Sequence, residues 1–123
     1  MASGFLLFST SAELVRVPAT AVVYVSADGN YSELTTADGA RVVLTSQLGQ
    51  VEKRIAESAA AAGNRFIRIG KSLIINRDYI SFINAGRQKL VLSDCRTFRH
   101  ELSASREALK ALKELIEKEA DNE

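Results

Sequence analysis

FIRIGKSLIIN, residues Phe66–Asn76, decides how the rest of the chain is read. Two short runs rich in isoleucine flank a polar break, Gly70-Lys71-Ser72, and Arg68 lies just upstream of it. Runs of this length and β-branched content, separated by a glycine-bearing break, predict two strands joined at a tight bend. The apolar flanks are explained by packing. A lysine at the bend with an arginine beside it is not. The basic pair is either a solvated hairpin tip or a tip that meets phosphate.

Working outward, most of the chain reads as short strands. Ala21–Ala27 (AVVYVSA) is β-branched and aromatic and stops at Asp28-Gly29-Asn30, a strong turn signal. Tyr31–Ala37 (YSELTTA), a second turn at Asp38-Gly39, and Ala40–Ser46 (ARVVLTS) complete a three-stranded meander. LLFST and AELVRV precede it as edge strands, the second ended by Pro18, the chain's one proline. After the opening stretch come YISFINA, KLVLS and TFRHEL, with a turn at Asn84-Ala85-Gly86.

Two helices are expected. Leu48, Val51 and Ile55 fall at i, i+3 and i+7, and Ala56, Ala59 and Ala62 continue as good helix formers. Ser46 is the expected cap, and Gly63-Asn64 the expected end. Near the C-terminus, Leu109, Leu112, Leu115 and Ile116 form an apolar stripe opposite glutamates and lysines, with Ser103 or Ser105 as cap and Glu107 in the first turn. The fold class is therefore mainly β with two helices: short antiparallel strands, one central helix and one C-terminal helix, read as a single domain over residues 1–123.

Composition bounds the function. With 123 residues, 46% hydrophobic and 25% charged, the chain is an ordinary globular sequence. Its apolar runs are too short for a membrane-spanning helix, and MASGFLLFSTS makes a poor signal peptide, so a cytoplasmic location is the default expectation. Cys95 has no partner for an internal disulfide, and no Cys/His spacing suits zinc. The net charge of +1 hides a division. Between Arg65 and Arg99 eight basic residues stand against two acids, 8 − 2 = +6, whereas from Glu107 onward three lysines face six acids, 3 − 6 = −3. A basic middle is an electrostatic match for phosphate, although a solvated face gives the same count.

Catalysis is hard to build from these residues. His100, the one histidine, shares a strand face with Phe98 and Leu102 by the period of two, which is a packing position. Cys95 has no base nearby in sequence to activate it. There is no glycine-rich phosphate loop, and the two Asp-Gly turns offer too few oxygens for calcium. No enzyme, metal or cofactor is expected. Binding is easier to build, because loops on a rigid scaffold carry it. Three polar positions stand out: Gly29-Asn30-Tyr31; Gly70-Lys71-Ser72 with Arg68; and Ser105-Arg106 at the last helix. Asparagine and arginine can read base edges bidentately, lysine reaches a guanine or a phosphate, and a helix start presents backbone N–H groups to phosphate. Each also has an ordinary reading, as a turn, a hairpin and a helix cap.

In combination these elements resemble the LytTR DNA-binding domain, found mainly in bacterial transcriptional regulators. The resemblance rests on AVVYVSADGNYSELTTADG, the helix with LGQVEKRI, NRFIRIGKSLIINRDYI and LVLSDCRTFRHELSASREALKALKELI, and spans about Glu13 to Ile116. Phe66–Asn76 is its most specific part. The resemblance implies an elongated β-fold whose loops enter successive major grooves of duplex DNA. Carried over by position, its contacts fall at Asn30, Lys71 and Arg106 along one long edge, with Arg68, Ser72 and Tyr31 beside them, while Asn76 matches a structural position. Two departures stand out: Gly70 replaces a frequent histidine, and RHELSA is more polar than the usual strand there. The resemblance further implies response-regulator-type transcription control, double-stranded DNA with directly repeated sites as partner, and a monomer or weak dimer in free solution that pairs on DNA. The last helix has barely two heptads, too few for a coiled-coil seam. The competing reading is a protein-interaction domain that uses its β-edges and C-terminal helix.

Overall fold

The computed structural model describes residues 4–58 and 64–121. The chain divides into two compact units, Met1–Asp78 and Tyr79–Glu123.

In the first unit, β1 (Phe5–Ser9) and β2 (Leu14–Pro18) form an antiparallel pair. They are followed by β3 (Val22–Asp28), β4 (Tyr31–Thr36), β5 (Arg41–Leu44), α1 (Leu48–Glu57), β6 (Phe66–Ile69) and β7 (Leu73–Asn76). The five later strands make one antiparallel sheet in the order β5-β4-β3-β7-β6. The expected meander is its first half, and the hairpin from the opening stretch pairs onto β3 to complete it. LLFST and AELVRV pair with each other rather than edging this sheet.

Helix α1 buries Leu48, Val51 and Ile55 and exposes its other residues, as its spacing dictates. These three join Leu6 and Val17 of the β1–β2 pair and Val25, Leu34 and Ile74 of the sheet in one core cluster. Each such side chain contributes about 1.5–3 kcal/mol on burial, which is what holds a ten-residue helix that would be marginal alone. The helix begins one residue later than a Ser46 cap requires: Gln47 is the N-cap. The Ser46 carbonyl accepts the Ser32 hydroxyl at 2.7 Å, which joins the chain before the helix to β4. The Gln50 side chain accepts the Gln47 N–H at 3.2 Å. The helix stops at Glu57, where Ser58 N–H donates to the Ile55 carbonyl. The expected continuation through Ala59, Ala62 and Gly63 lies outside the described residues.

Asn76, at the end of β7, is fully buried. Its Nδ2 donates to the Val22 carbonyl at 2.9 Å and its Oδ1 accepts the Asp78 N–H at 3.0 Å. A buried amide is tolerable only when bonded, and here it ties the last residue of β7 to the first of β3.

In the second unit, β8 (Ile80–Asn84), β9 (Lys89–Ser93) and β10 (Arg99–Ser103) form an antiparallel sheet with β9 central, and α2 (Arg106–Asp121) packs on β8. Leu90, Val91 and Leu92 of β9 are buried. Of the two candidate caps for α2, Ser105 is the one used: its Oγ accepts the Ala108 N–H at 3.2 Å, whereas the Ser103 hydroxyl bonds to Gln88. The expected four-residue stripe is narrower than its spacing suggested. Leu109 and Leu112 are buried and Ile116 is half-buried, but Leu115 is exposed. At 3.6 residues per turn, Ile116 lies only about 20° round the helix from Leu109, whereas Leu115 lies about 120° away. His100 is a packed strand residue, its ring 5.7 Å from Phe98, which in turn meets Tyr79 edge-on at 5.0 Å.

Candidate nucleic-acid interface

Register places the first two candidate loops together. In the β3–β4 hairpin Asp28 pairs with Tyr31, leaving Gly29 and Asn30 as a two-residue turn. In the β6–β7 hairpin Ile69 pairs with Leu73, leaving Gly70, Lys71 and Ser72 as the bend. Strand β7 runs antiparallel to β3, with Ser26 opposite Leu73, and the Ala27 N–H donates to the Ser72 carbonyl at 2.9 Å. Both tips therefore project from one end of the five-stranded sheet. Gly29 and Gly70 have φ of +62° and +59°, a left-handed backbone that glycine adopts without a Cβ penalty. Gly70 thus places the bend before Lys71 in a conformation that a side chain would strain.

Asn30, Tyr31, Lys71 and Ser72 are all exposed, with Tyr31 at 51% despite its large ring. Among the described residues no acidic side chain pairs with Lys71, so its ammonium faces solvent. Asn30 is not free: its Oδ1 accepts Gln47 Nε2 at 3.1 Å.

Arg68 takes a different place from the other candidates. Its Nε and one terminal nitrogen donate to the Gly70 and Lys71 carbonyls at 3.3 Å, and the other terminal nitrogen reaches Glu52 of α1 at 2.9 Å. The guanidinium thus lies under the bend, with only 27% of its side chain exposed. Five donors in a rigid fork suit this role of bracing two carbonyls and a carboxylate at once. The arginine beside the bend holds the loop that presents Lys71, and its charge is matched by Glu52.

Arg106 is the first residue of α2 in the second unit and is exposed, directly after the Ser105 cap. The cap holds the helix start, so the guanidinium leaves from a fixed backbone.

The basic middle segment is more neutral than its count. Arg65 pairs with Asp78, Arg68 with Glu52, and Lys89 and Arg99 share Glu101 at 2.8 and 3.1 Å. The Lys89 ammonium, and after it Arg99, holds the Glu101 carboxyl below its ordinary pKa. Glu52 and Glu101 lie outside the Arg65–Arg99 window, which is why a linear tally missed them. Two residues of this region carried no signal of their own in the sequence, Glu52 and Gln47. Each is an ordinary polar residue in or next to a helix and gains its meaning only from the loop it touches.

The LytTr DNA-binding domain family model matches residues 12–117, and the chain belongs to that family. That is a family of DNA-binding domains and not of enzymes. A solved structure with the same fold is the LytTr DNA-binding domain of a protein described as a methyl-accepting/DNA response regulator from Bacillus cereus, 18% identical, with a TM-score of 0.62, covering 92% of this chain and 96% of that one. No curated protein matches the chain. Among the described residues no helix is long and apolar enough to cross a membrane.

Proposed function

We propose that this chain is a sequence-specific duplex-DNA-binding module of a bacterial transcription regulator, inserting its loop tips into successive major grooves. The observation that carries this reading is the convergence of Asn30, Tyr31, Lys71 and Ser72 on one end of a sheet, with Lys71 exposed on a braced tip. Asn30 and Arg106 read base edges, Lys71 reaches a guanine or a phosphate, and Arg68 keeps the tip in place rather than touching bases. The whole chain acts as one DNA-binding domain. It is a monomer or weak dimer in solution, and copies pair on directly repeated sites. No metal or small-molecule cofactor enters.

A titration of mobility shift against salt tests this. Log affinity should fall linearly with log salt, by roughly 0.9 per phosphate neutralised. Binding that never exceeds the non-specific level, even at low salt, sinks the reading. A protein-interaction role has one observation in its favour, the apolar Leu7 and Leu14 exposed on one face of the β1–β2 pair at 51% and 62%. It predicts no such salt slope.

A further inference from the structure

Gln47 is exposed and stands immediately before α1. Its backbone N–H is held by Gln50 at 3.2 Å, and its side-chain Nε2 donates to Asn30 Oδ1 at 3.1 Å, across 17 residues of sequence. The same sheet end thus carries a pair of joined amides and not a lone asparagine. An exposed bond between two side chains adds little to folding, because water competes for both groups. What it changes is which atoms the pair shows. A free asparagine offers a donor beside an acceptor and matches adenine N6 and N7 bidentately. With its oxygen engaged, Asn30 shows chiefly its Nδ2 donors, which suit guanine O6 and N7 or thymine O4. The Gln47 side chain also accepts the Gln50 backbone N–H in the capping box, and the second lone pair of its Oε1 remains as an acceptor, which suits cytosine N4 or adenine N6.

We infer that Gln47 is a specificity-determining residue: it sets the hydrogen-bonding face that Asn30 turns to its base pair and supplies an acceptor to the adjacent one. The ligand of the pair is the major-groove edge of two neighbouring base pairs. This rests on the DNA-reading function proposed above.

The test is selection of bound sequences from a random duplex library by the full chain, as wild type, Gln47→Ala, Asn30→Ala and the double variant, with thermal midpoints for each. Gln47→Ala should relax or change the preference at the Asn30-dependent position and its neighbour by about 5- to 150-fold, leaving the remaining positions intact. The double variant should lose less than the product of the two single losses, because each single change already breaks the pair. Gln47→Glu keeps the side-chain shape and the backbone bond to Gln50 but removes the Nε2 donor. It should shift the Asn30-dependent position in the same direction, and it carries the test if the alanine variant unfolds. An unchanged preference in Gln47→Glu and Gln47→Ala, or single losses that multiply independently, overturns the inference while leaving DNA reading intact. A wild-type chain that selects no sequence overturns both.

Discussion

The two ends of the β6–β7 hairpin hold polar residues in opposite circumstances. At its base Asn76 is fully buried, with its side chain bonded to the Val22 carbonyl and the Asp78 N–H. At its tip Lys71 is exposed, and the bend beneath it is braced by Arg68 and Glu52. Both residues interrupt an apolar stretch of sequence, and only one of them is free to meet a partner. The difference teaches that a polar residue in a strand-rich motif has to be sorted by what already occupies its hydrogen-bonding atoms. Those of Asn76 are taken up by the fold. The ammonium of Lys71 is left to solvent.

Breaking the buried end should have the largest effect. Asn76→Ala leaves the Val22 carbonyl and the Asp78 N–H without their partner and should destabilise the fold by about 2–3 kcal/mol. Denaturant unfolding measures this. A change below about 0.5 kcal/mol, the range of ordinary surface substitutions, would mean that the buried end is not the anchor described here.

At the exposed positions the loss should appear in binding and not in folding. Asn30→Ala and Arg106→Ala should each cost about 1–3 kcal/mol on the preferred site and relax selectivity at different base pairs. Affinities on single-base variants of that site check this, with thermal midpoints beside them. Losses that track unfolding would remove both residues from the reading surface.

Lys71→Ala should weaken binding to all sequences alike if it meets phosphate, and reduce the salt slope by about one. Arg87→Ala sharpens the contrast. Arg87 is also an exposed cation at a hairpin bend, but in the β8–β9 turn, where its N–H is held by the Asn84 side chain. Its loss should leave affinity and slope within error. If Arg87→Ala weakens binding more than Lys71→Ala, the tip assignment is wrong.

The smallest effect concerns the loop before β10, where a hydroxyl and three backbone N–H groups gather on one carboxylate. Asp94 accepts the Thr97 hydroxyl and the N–H groups of Thr97, Arg96 and Phe98, which hold its pKa well below the ordinary carboxylate range. Because the folded pKa is depressed, this stabilisation is present above about pH 4, the unfolded value, and is lost as pH falls toward the folded one. Solvent screening at the surface keeps it small. Asp94→Asn should therefore lower the thermal midpoint slightly at pH 7, with the difference from wild type shrinking on acidification. A difference that grows in acid would contradict this.

How much was legible in advance follows from the range of the interactions involved. Strands, both helices and the three loop positions are set by local patterns: period two, period 3.6, and glycine or aspartate at turns. The linear sequence therefore determined the fold class, the hairpin at Phe66–Asn76, and the resemblance that implied Asn30, Lys71 and Arg106. It misplaced the α1 cap by one residue, because the reciprocal bonds between Gln47 and Gln50 start the helix there. It could not separate Arg68 from Lys71, since two cations three residues apart look alike until one is seen to face Glu52. It overcounted the positive charge for the same reason. Antiparallel register brought the β3–β4 and β6–β7 tips to one sheet end, and only register could join Asn30 to Gln47. Local chemistry fixed which residues could serve. Long-range strand pairing, a property of the folded sheet, decided which of them meet, because hydrogen bonds and ion pairs act over a few ångströms of space whatever the separation along the chain.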